Sequence, residues 1–523
     1  MSTKSPESRF PEGVPEELCR LAKNVLKEGN FRVETGNGTE SSEVLLDYAE
    51  FLFNIAKTRL EFQQAIDIVQ RWIEVKLVEG KYSENTKLTI SKKLEFLAIE
   101  SLIRFLPTEC SIIEDFPIKL FNIEERRKIN VVKVRAPARI DFAGGWTDTP
   151  PITYDLGTPR IQSTLEPSGT PEVVIAPRVL NAAVLIDGKR PIAAEVHRLF
   201  YNPGIWIQTE GVLRCFKSKK EIVGNAKKPS EIGSLICAVI VTSGVFESWG
   251  KPMDFEMSEI SEKLDFGDDE ACGLLIKSHS DLPHGSGLGT SSILSGVILA
   301  GIWTLFGKKF EDKDLIKAVS KVEQFHTTRG GWQDQVGGLL PGIKLASVDS
   351  DFHRSVTWEK INISESFEKE LNSRIFLIYT GKTRLAKDLL ETVILNWINR
   401  DKEIHKAFKT LALQAEIAGG KISSGIFPTE EVSDYHELKK KVAFGAEPIF
   451  IKNLISELKS ENLIETAWIS GAGGGGFLYV YLQKNKNFDD LKKFISKEKY
   501  SDLNLEISSI QIDNEALKIE IME

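Results

Sequence analysis

Apolar positions in the first quarter of the chain recur three and four residues apart. EVLLDYAEFLFNIAKTRLEFQQAIDIVQRWIEVKLVEG sets Leu45, Tyr48, Phe51, Leu52 and Ile55 on one stripe and stops at Gly80. KKLEFLAIESLIRFLP repeats the habit and ends at Pro107, whose ring cannot continue a helix. The period predicts a helical extension over residues 1–130. It carries no titratable cluster and no glycine-rich loop, so packing or docking is its expected role. From Val131 the period shortens to two. VVKVRAPARIDFAGG alternates like a strand, and EVVIAP, AAVLID and IWIQTE follow as short β-like runs.

Further on, an apolar helix follows Ser292, and DLIKAVSKVEQF predicts a second helix running into a glycine-rich turn at RGGWQDQVGG. SRIFLIYTG (373–381) reads as a strand opening a last mixed region. The pattern predicts an α+β protein, with the helical extension before two lobes, 131–370 and 371–523.

Composition narrows the class. A chain of 523 residues is too long for one ordinary core. Its net charge of −8 argues against a nucleic-acid or anionic-membrane partner. The five cysteines (Cys19, Cys110, Cys215, Cys237, Cys272) form no CxxC pair, which fits a reducing compartment and suggests neither disulfides nor zinc. The N-terminus, MSTKSPESRFPEGVPEE, has no signal-peptide core. Ser295, Gly296, Gly301 and Thr304 interrupt the most apolar helix, so it is expected to be buried in protein rather than in a membrane. A cytoplasmic protein is expected.

LPHGSGLGTSSILSGVILAGIW (282–303) carries the first chemical signal. Gly285, Gly287 and Gly289 alternate, Thr290, Ser291 and Ser292 follow, and the helix begins at once. Glycines let backbone approach a phosphate, and the first turn of a helix offers unpaired N–H groups and partial positive charge. Pro283 through Ser292, including Ser286 and Leu288, is therefore the candidate cradle for nucleotide phosphates. An ordinary core helix after a flexible loop is the plain alternative.

Two other motifs fail. GAGGGG (471–476) satisfies G-x-G-x-x-G, but FLYVYL after it alternates as a strand, where a dinucleotide site needs a helix. A hairpin turn fits better. GKT (381–383) would need glycine at 376, which is Phe376. The seven histidines show no HExxH spacing, so an oxygen-bound metal such as magnesium on phosphate is expected.

Phosphoryl transfer needs a cradle, a magnesium shell, a cation on the transferring group and a group to orient or deprotonate the acceptor. Ser291 or Ser292 can supply a metal ligand and Glu323 a carboxylate. Asp334 stands between glycine pairs, and Arg139 in APARIDFAGGWTD can steady negative charge. Each has a plainer reading: Glu323 solvated, Asp334 a turn former, Arg139 paired with Asp141 or Asp148, Trp146 and Trp332 as core. Taken together they predict a nucleotide-dependent kinase.

These stretches also resemble the GHMP kinases. PHGSGLGTSS is similar to their phosphate-loop motif, APARIDFAGGWTDTPP to their first motif and SGAGGGG to their third, in the same order. IDFAGGWTDTPP, GGWQDQVGGLLPGIK and YTGKTRLAKDLL narrow the resemblance to the kinase region of the L-fucokinases. The resemblance implies the two-lobed GHMP fold and ATP-dependent phosphorylation of the anomeric hydroxyl of L-fucose, with Mg2+.

By position, Ser291 and Glu323 would bind the metal, and Asp334 would be the catalytic aspartate with Arg139 beside it. Asp148 would bind sugar, and Gly473 to Gly476 would form the supporting third-motif turn. Gly145, Thr149, Gly473 and Gly474 complete the expected substrate site. Arg384 lies in a fucokinase-like stretch without an assigned role. Gly145-Trp146 replaces the Glu-His of many family members, a change shared with the fucokinase-like branch. Some fucokinases belong to longer chains with a GDP-fucose pyrophosphorylase region; with only about 130 residues before the kinase region, kinase activity without nucleotidyl transfer is expected here. A kinase for another sugar, such as heptose 7-phosphate, and a non-catalytic sugar and ATP sensor are the alternatives. Small-molecule partners are expected; the oligomeric state is not readable.

Overall fold

Pro137 splits the first β segment in two. Proline has no N–H to give a ladder, and it releases the chain from one sheet into another. Strand β1 (Val131–Ala136) lies in a six-stranded sheet, whereas β2 (Ala138–Ala143) pairs within a second sheet. The structure, a computed structural model, describes residues 129–150, 152–156, 175–245, 271–283, 285–326, 330–348, 355–381, 389–390, 393–394, 396–397 and 402–522. The helical extension expected over 1–130 and Arg384 lie outside the described residues, the last two positions of the extension apart. The elements below belong to one compact unit, Glu109–Val393 with Lys402–Glu523.

In chain order the strands after β2 are β3 (Arg178–Ile186), β4 (Ile192–Phe200), β5 (Gly204–Thr209), β6 (Val212–Phe216), β7 (Ala271–Ser280) and β8 (Ile343–Val348). Then come β9 (Val356–Ile361), β10 (Ile375–Tyr379), β11 (Ile464–Ile469), β12 (Phe477–Leu482), β13 (Glu506–Ile512) and β14 (Lys518–Met522). One sheet runs β14-β1-β4-β7-β5-β6, and the other runs β11-β12-β10-β13-β3-β8-β9 with β2 beside β3. Both sheets draw strands from either side of residue 370, and the expected lobe boundary falls inside helix Glu365–Arg374.

Helix α1 (Thr290–Leu305) fills the space over the first sheet. Most of its residues are buried, which is why its apolar run has no polar face. Its glycines have packing reasons: a Cβ on Gly301 would fall 2.7 Å from Val196 Cγ2 on β4. Helix α2 (Asp312–Phe325) packs against α1 with Leu315, Val319 and Val322 inward, and it starts in a capping box between Glu311 and Asp314. Among the described residues no helix is long and apolar enough to cross a membrane.

One expectation is corrected. RGGWQDQVGG does not end in a turn; Gln333–Leu339 is a helix, α3. Its two glycines are helical because of what lies against them. A Cβ on Gly337 would fall 2.8 Å from Arg139 Cβ, and one on Gly338 would fall 2.1 Å from Ile293 Cδ1. Close packing overrides glycine's low helix propensity. The SGAGGGG stretch, by contrast, is the hairpin turn between β11 and β12, as the alternation of FLYVYL predicted.

Candidate active site

Strand β2 carries Arg139 and Asp141, both buried. Arg139 Nε donates to Asp334 Oδ1 at 2.7 Å, and its Nη1 donates to Asp141 Oδ1 at 2.5 Å. The Arg139 side chain is 2% exposed but that of Asp334 is 29% exposed, so the aspartate is the member of the pair that faces the opening. Burial alone would lower the Arg139 pKa. The charges of Asp334 and Asp141 outweigh it and hold the guanidinium well above its usual range.

The glycine-rich loop before α1, the candidate phosphate cradle, lies directly on this pair. The Arg139 N–H donates to Leu288 O at 3.2 Å, and a Cβ on Gly289 would fall 2.9 Å from Arg139 Cγ and 3.2 Å from Asp334 Cβ. Gly285, Gly287 and Gly289 have φ of 69°, 75° and 78°, a left-handed conformation that glycine adopts without a Cβ clash. Gly289 is the N-cap of α1 and supplies no side chain to its first turn, whose N–H groups are thus placed as an anion cradle. Ser286 Oγ and Thr290 Oγ1 lie 3.1 Å apart, a hydroxyl contact that closes the loop.

The turn between β11 and β12 fixes the loop from behind. Ser470 Oγ donates to Ser286 O at 2.9 Å, the Phe477 N–H reaches the same carbonyl at 3.2 Å, and a Cβ on Gly476 would fall 2.5 Å from it. Gly473 and Gly474, expected in the substrate site, instead face the backbone of Ala446: the Gly474 N–H donates to Ala446 O at 2.7 Å. The contact with the phosphate loop comes from Ser470, Gly471 and Gly476.

Ser292 Oγ donates to Glu323 Oε1 at 2.7 Å in a buried contact, whereas Ser291 is exposed. One residue is about 100° on a helix, so the structure brings Ser292, not Ser291, to Glu323. Among the described residues no three or more His, Cys, Asp or Glu form a metal cluster. A hydroxyl and a carboxylate are hard oxygen donors of the kind that hold magnesium together with phosphate oxygens.

The loop after β2 makes the remaining wall. Thr147 Oγ1 donates to Gly144 O at 2.7 Å and Arg178 O at 2.9 Å, closing a turn in which Trp146 has φ of 77°. Asp148 is buried, accepts the Gln333 N–H on Oδ2 at 3.1 Å, and crowds Gly331, where a Cβ would fall 2.0 Å away. Burial pushes the Asp148 carboxyl up to about 7; the Gln333 N–H opposes this and the Asp334 charge adds to it. Among the described residues, the buried atoms Asp148 Oδ1, Trp146 Nε1 and Gln333 Oε1 have no hydrogen-bond partner. Buried polar groups normally have partners, so these atoms retain hydrogen-bonding capacity. Thr149 is buried and its carbonyl accepts the Thr153 N–H at 2.9 Å; Gly145 lies against the Tyr435 hydroxyl, 2.2 Å from where its Cβ would be. Trp332 is core, with Nε1 on Thr153 Oγ1 at 3.2 Å.

Sequence reading missed what surrounds Asp141. Helix α4 (Lys402–Ser423) is followed by α5 (Thr429–Val442), and from α5 Tyr435 donates to Asp141 Oδ2 at 2.5 Å, with Lys439 Nζ at 3.5 Å. Tyr479 lies 3.4 Å from Oδ1. Burial would raise the Asp141 pKa, but Lys439, Arg139 and the Tyr435 hydroxyl together lower it. Tyr435 and Lys439 are four apart on one helical face, the single signal available in sequence.

These elements define a class: the architecture is that of the GHMP kinases, with residues 256–342 matching the GHMP kinases N terminal domain. The solved structure of a Lin0012 protein from Listeria innocua has the same fold, with a TM-score of 0.52 at 12% identity over 75% of this chain and 100% of that one. Within the class the chain is L-fucokinase-like. It is 27% identical over 69% of its length to 31% of a bifunctional fucokinase/GDP-fucose pyrophosphorylase of Arabidopsis thaliana. It is 28% identical over 70% to 36% of an L-fucokinase/L-fucose-1-P guanylyltransferase of Bacteroides fragilis. The match thus spans about a third of those relatives. A D-glycero-alpha-D-manno-heptose 7-phosphate kinase of Campylobacter jejuni is 23% identical over 43% of this chain and 66% of its own.

Proposed function

We propose that the chain is a sugar 1-kinase that transfers the γ-phosphoryl group of ATP to the anomeric hydroxyl of L-fucose, giving fucose 1-phosphate and ADP. The observation that carries this reading is the Arg139–Asp334 pair directly beneath Gly289 of the phosphate loop. A bond forms between the anomeric oxygen and the γ-phosphorus as the bond to the bridging oxygen of ADP breaks. The hydroxyl proton passes to the Asp334 carboxylate, and Arg139 stabilises negative charge on the group in transit. Pro283 to Ser292 hold the nucleotide phosphates. Ser292 and Glu323, with Ser291 adjacent, would hold Mg2+, which supplies charge neutralisation on the phosphates. Asp148, Trp146 and Gln333 offer their unpartnered atoms to sugar hydroxyls.

Similarity to two fucokinases supports L-fucose as acceptor; the weaker likeness to a heptose 7-phosphate kinase keeps that sugar phosphate as the alternative. The requirement for ATP fits the cytoplasm. The test is ADP release from MgATP with L-fucose, D-galactose, D-arabinose, D-mannose and a heptose 7-phosphate. Fastest turnover on L-fucose supports the reading, and a preference for the heptose phosphate replaces its acceptor. Nucleotide binding without turnover on any sugar would leave a non-catalytic sensor.

A further inference from the structure

Helix α3, which carries Asp334 in its first turn, is gripped at both ends by two directly opposed strand residues. Asn181 on β3 and Lys344 on β8 are cross-strand partners. Asn181 Nδ2 donates to Gln333 O at the start of the helix, at 3.1 Å. Lys344 Nζ lies 2.8 Å from Gly337 O, 2.7 Å from Leu340 O and 3.0 Å from Gly342 O, at and beyond its end. Both side chains are fully buried.

The chain itself creates the need for this grip. The last four carbonyls of a helix have no intrahelical donor, and Pro341, four residues after Gly337, brings no N–H at all. A cation is also favoured at the negative end of the helix dipole. An ammonium group has three N–H donors, and three carbonyls converge on this one. A buried lysine is costly, and burial pulls Lys344 well below its usual pKa range, so a plain core position would hold an apolar residue. The peptide it grips matters to the site. Gly337 packs against the aliphatic part of Arg139, with room for no Cβ, so the carbonyl held by Lys344 and the wall of Arg139 belong to one residue.

We propose that Lys344, with Asn181, is a positioning residue: it clamps α3 at both ends and so fixes both Asp334 and Arg139 in register with the phosphate loop. The proposal rests on the kinase reading for its catalytic consequence, while the clamp itself is testable without it. Lys344→Met keeps the unbranched apolar stem of the side chain as far as Cε and removes the three donors. Hydrogen exchange of the α3 amides should then quicken about tenfold or more, as local opening is eased. In the same variant kcat should fall about tenfold or more while KM for MgATP stays within about twofold, the mark of an effect on the reacting groups rather than on binding.

Combined with Asp334→Asn, Lys344→Met should cost less than about a further twofold, because its effect acts through Asp334. Lys344→Gln, which keeps two N–H donors, should recover part of both losses and serves if the methionine variant does not fold. Unchanged exchange in α3 overturns the clamp. A kcat loss that multiplies in full with Asp334→Asn overturns the positioning role. If the wild type turns over no sugar the kinase reading fails, and the exchange measurement still decides the clamp.

Discussion

Arg139 binds Asp334 across 195 positions of the chain, at 2.7 Å from Nε, while its Nη1 keeps Asp141 at 2.5 Å. One guanidinium thus ties a buried carboxylate to one that faces the opening. Asp334 is in this way held in a fixed direction without being sealed off. In the kinase reading, Asp334→Asn keeps the shape and one acceptor oxygen but cannot take the hydroxyl proton. The expected loss in kcat is about 10²–10⁴, roughly 3–5 kcal/mol of barrier, with little change in KM for the sugar. Steady-state kinetics measure it, and a loss below tenfold would mean that positioning by Arg139 and the phosphate loop dominates.

Gly289 tests whether the loop and the pair act as a unit. An alanine there must hold φ near 78° and place a Cβ 2.9 Å from Arg139 Cγ, deep inside a packed site. Gly188 offers a matched control: its φ is 75°, and nothing lies within 4 Å of an added Cβ. Both substitutions should cost about 1–2 kcal/mol of stability from backbone strain. Gly289→Ala should in addition lower kcat/KM about tenfold or more by displacing Arg139. Equal activity in the two variants would separate the loop from the pair.

How much of this was legible can be judged from particular residues. The hairpin at 471–476 could be read because FLYVYL alternates, which is a local property. VVKVRAPARIDFAGG reads as one strand by its alternation, yet Pro137 divides it, and which sheet each half joins depends on β14 and β3, far along the chain. Asp334 was expected in a glycine turn and stands on a helix, since Arg139 and Ile293 decide the conformation of Gly337 and Gly338. The choice between Ser291 and Ser292 turned on the rotational phase of α1, which its nearly all-buried sequence does not reveal. Tyr435 and Lys439 lie almost 300 positions from Asp141, and no local pattern could have paired them.

Asp148 gives a pH dependence of definite sign. Its carboxyl is pushed by burial from an ordinary 3.8 to about 7. Between these values the folded protein binds a proton that the unfolded chain lacks. Its contribution to stability is therefore full below about pH 4 and is lost as pH rises through about 7. Asp148→Asn, which resembles the protonated form, removes this slope. Denaturation midpoints at about pH 5 and about pH 8 should show the wild type losing ground to the variant. Parallel midpoints would mean that Asp148 is ionised throughout.

The buried charges around Asp141 predict a coupling. Asp141 faces Arg139, Lys439 and two tyrosine hydroxyls with no exposed surface of its own. Asp141→Asn would leave the Lys439 ammonium buried against Ile469 O, 2.8 Å away, with no carboxylate of the described residues within ion-pair reach. Breaking one side of a buried ion pair costs about 3–5 kcal/mol, because the remaining charge is uncompensated. Lys439→Met alone should destabilise for the mirror reason. The double variant carries no stranded ammonium, so it should be at least as stable as Asp141→Asn alone. Chemical denaturation of the four proteins closes the cycle. If the two losses simply add, Lys439 and Asp141 do not act on one another, and Arg139 with the Tyr435 hydroxyl accounts for the ionised state of Asp141.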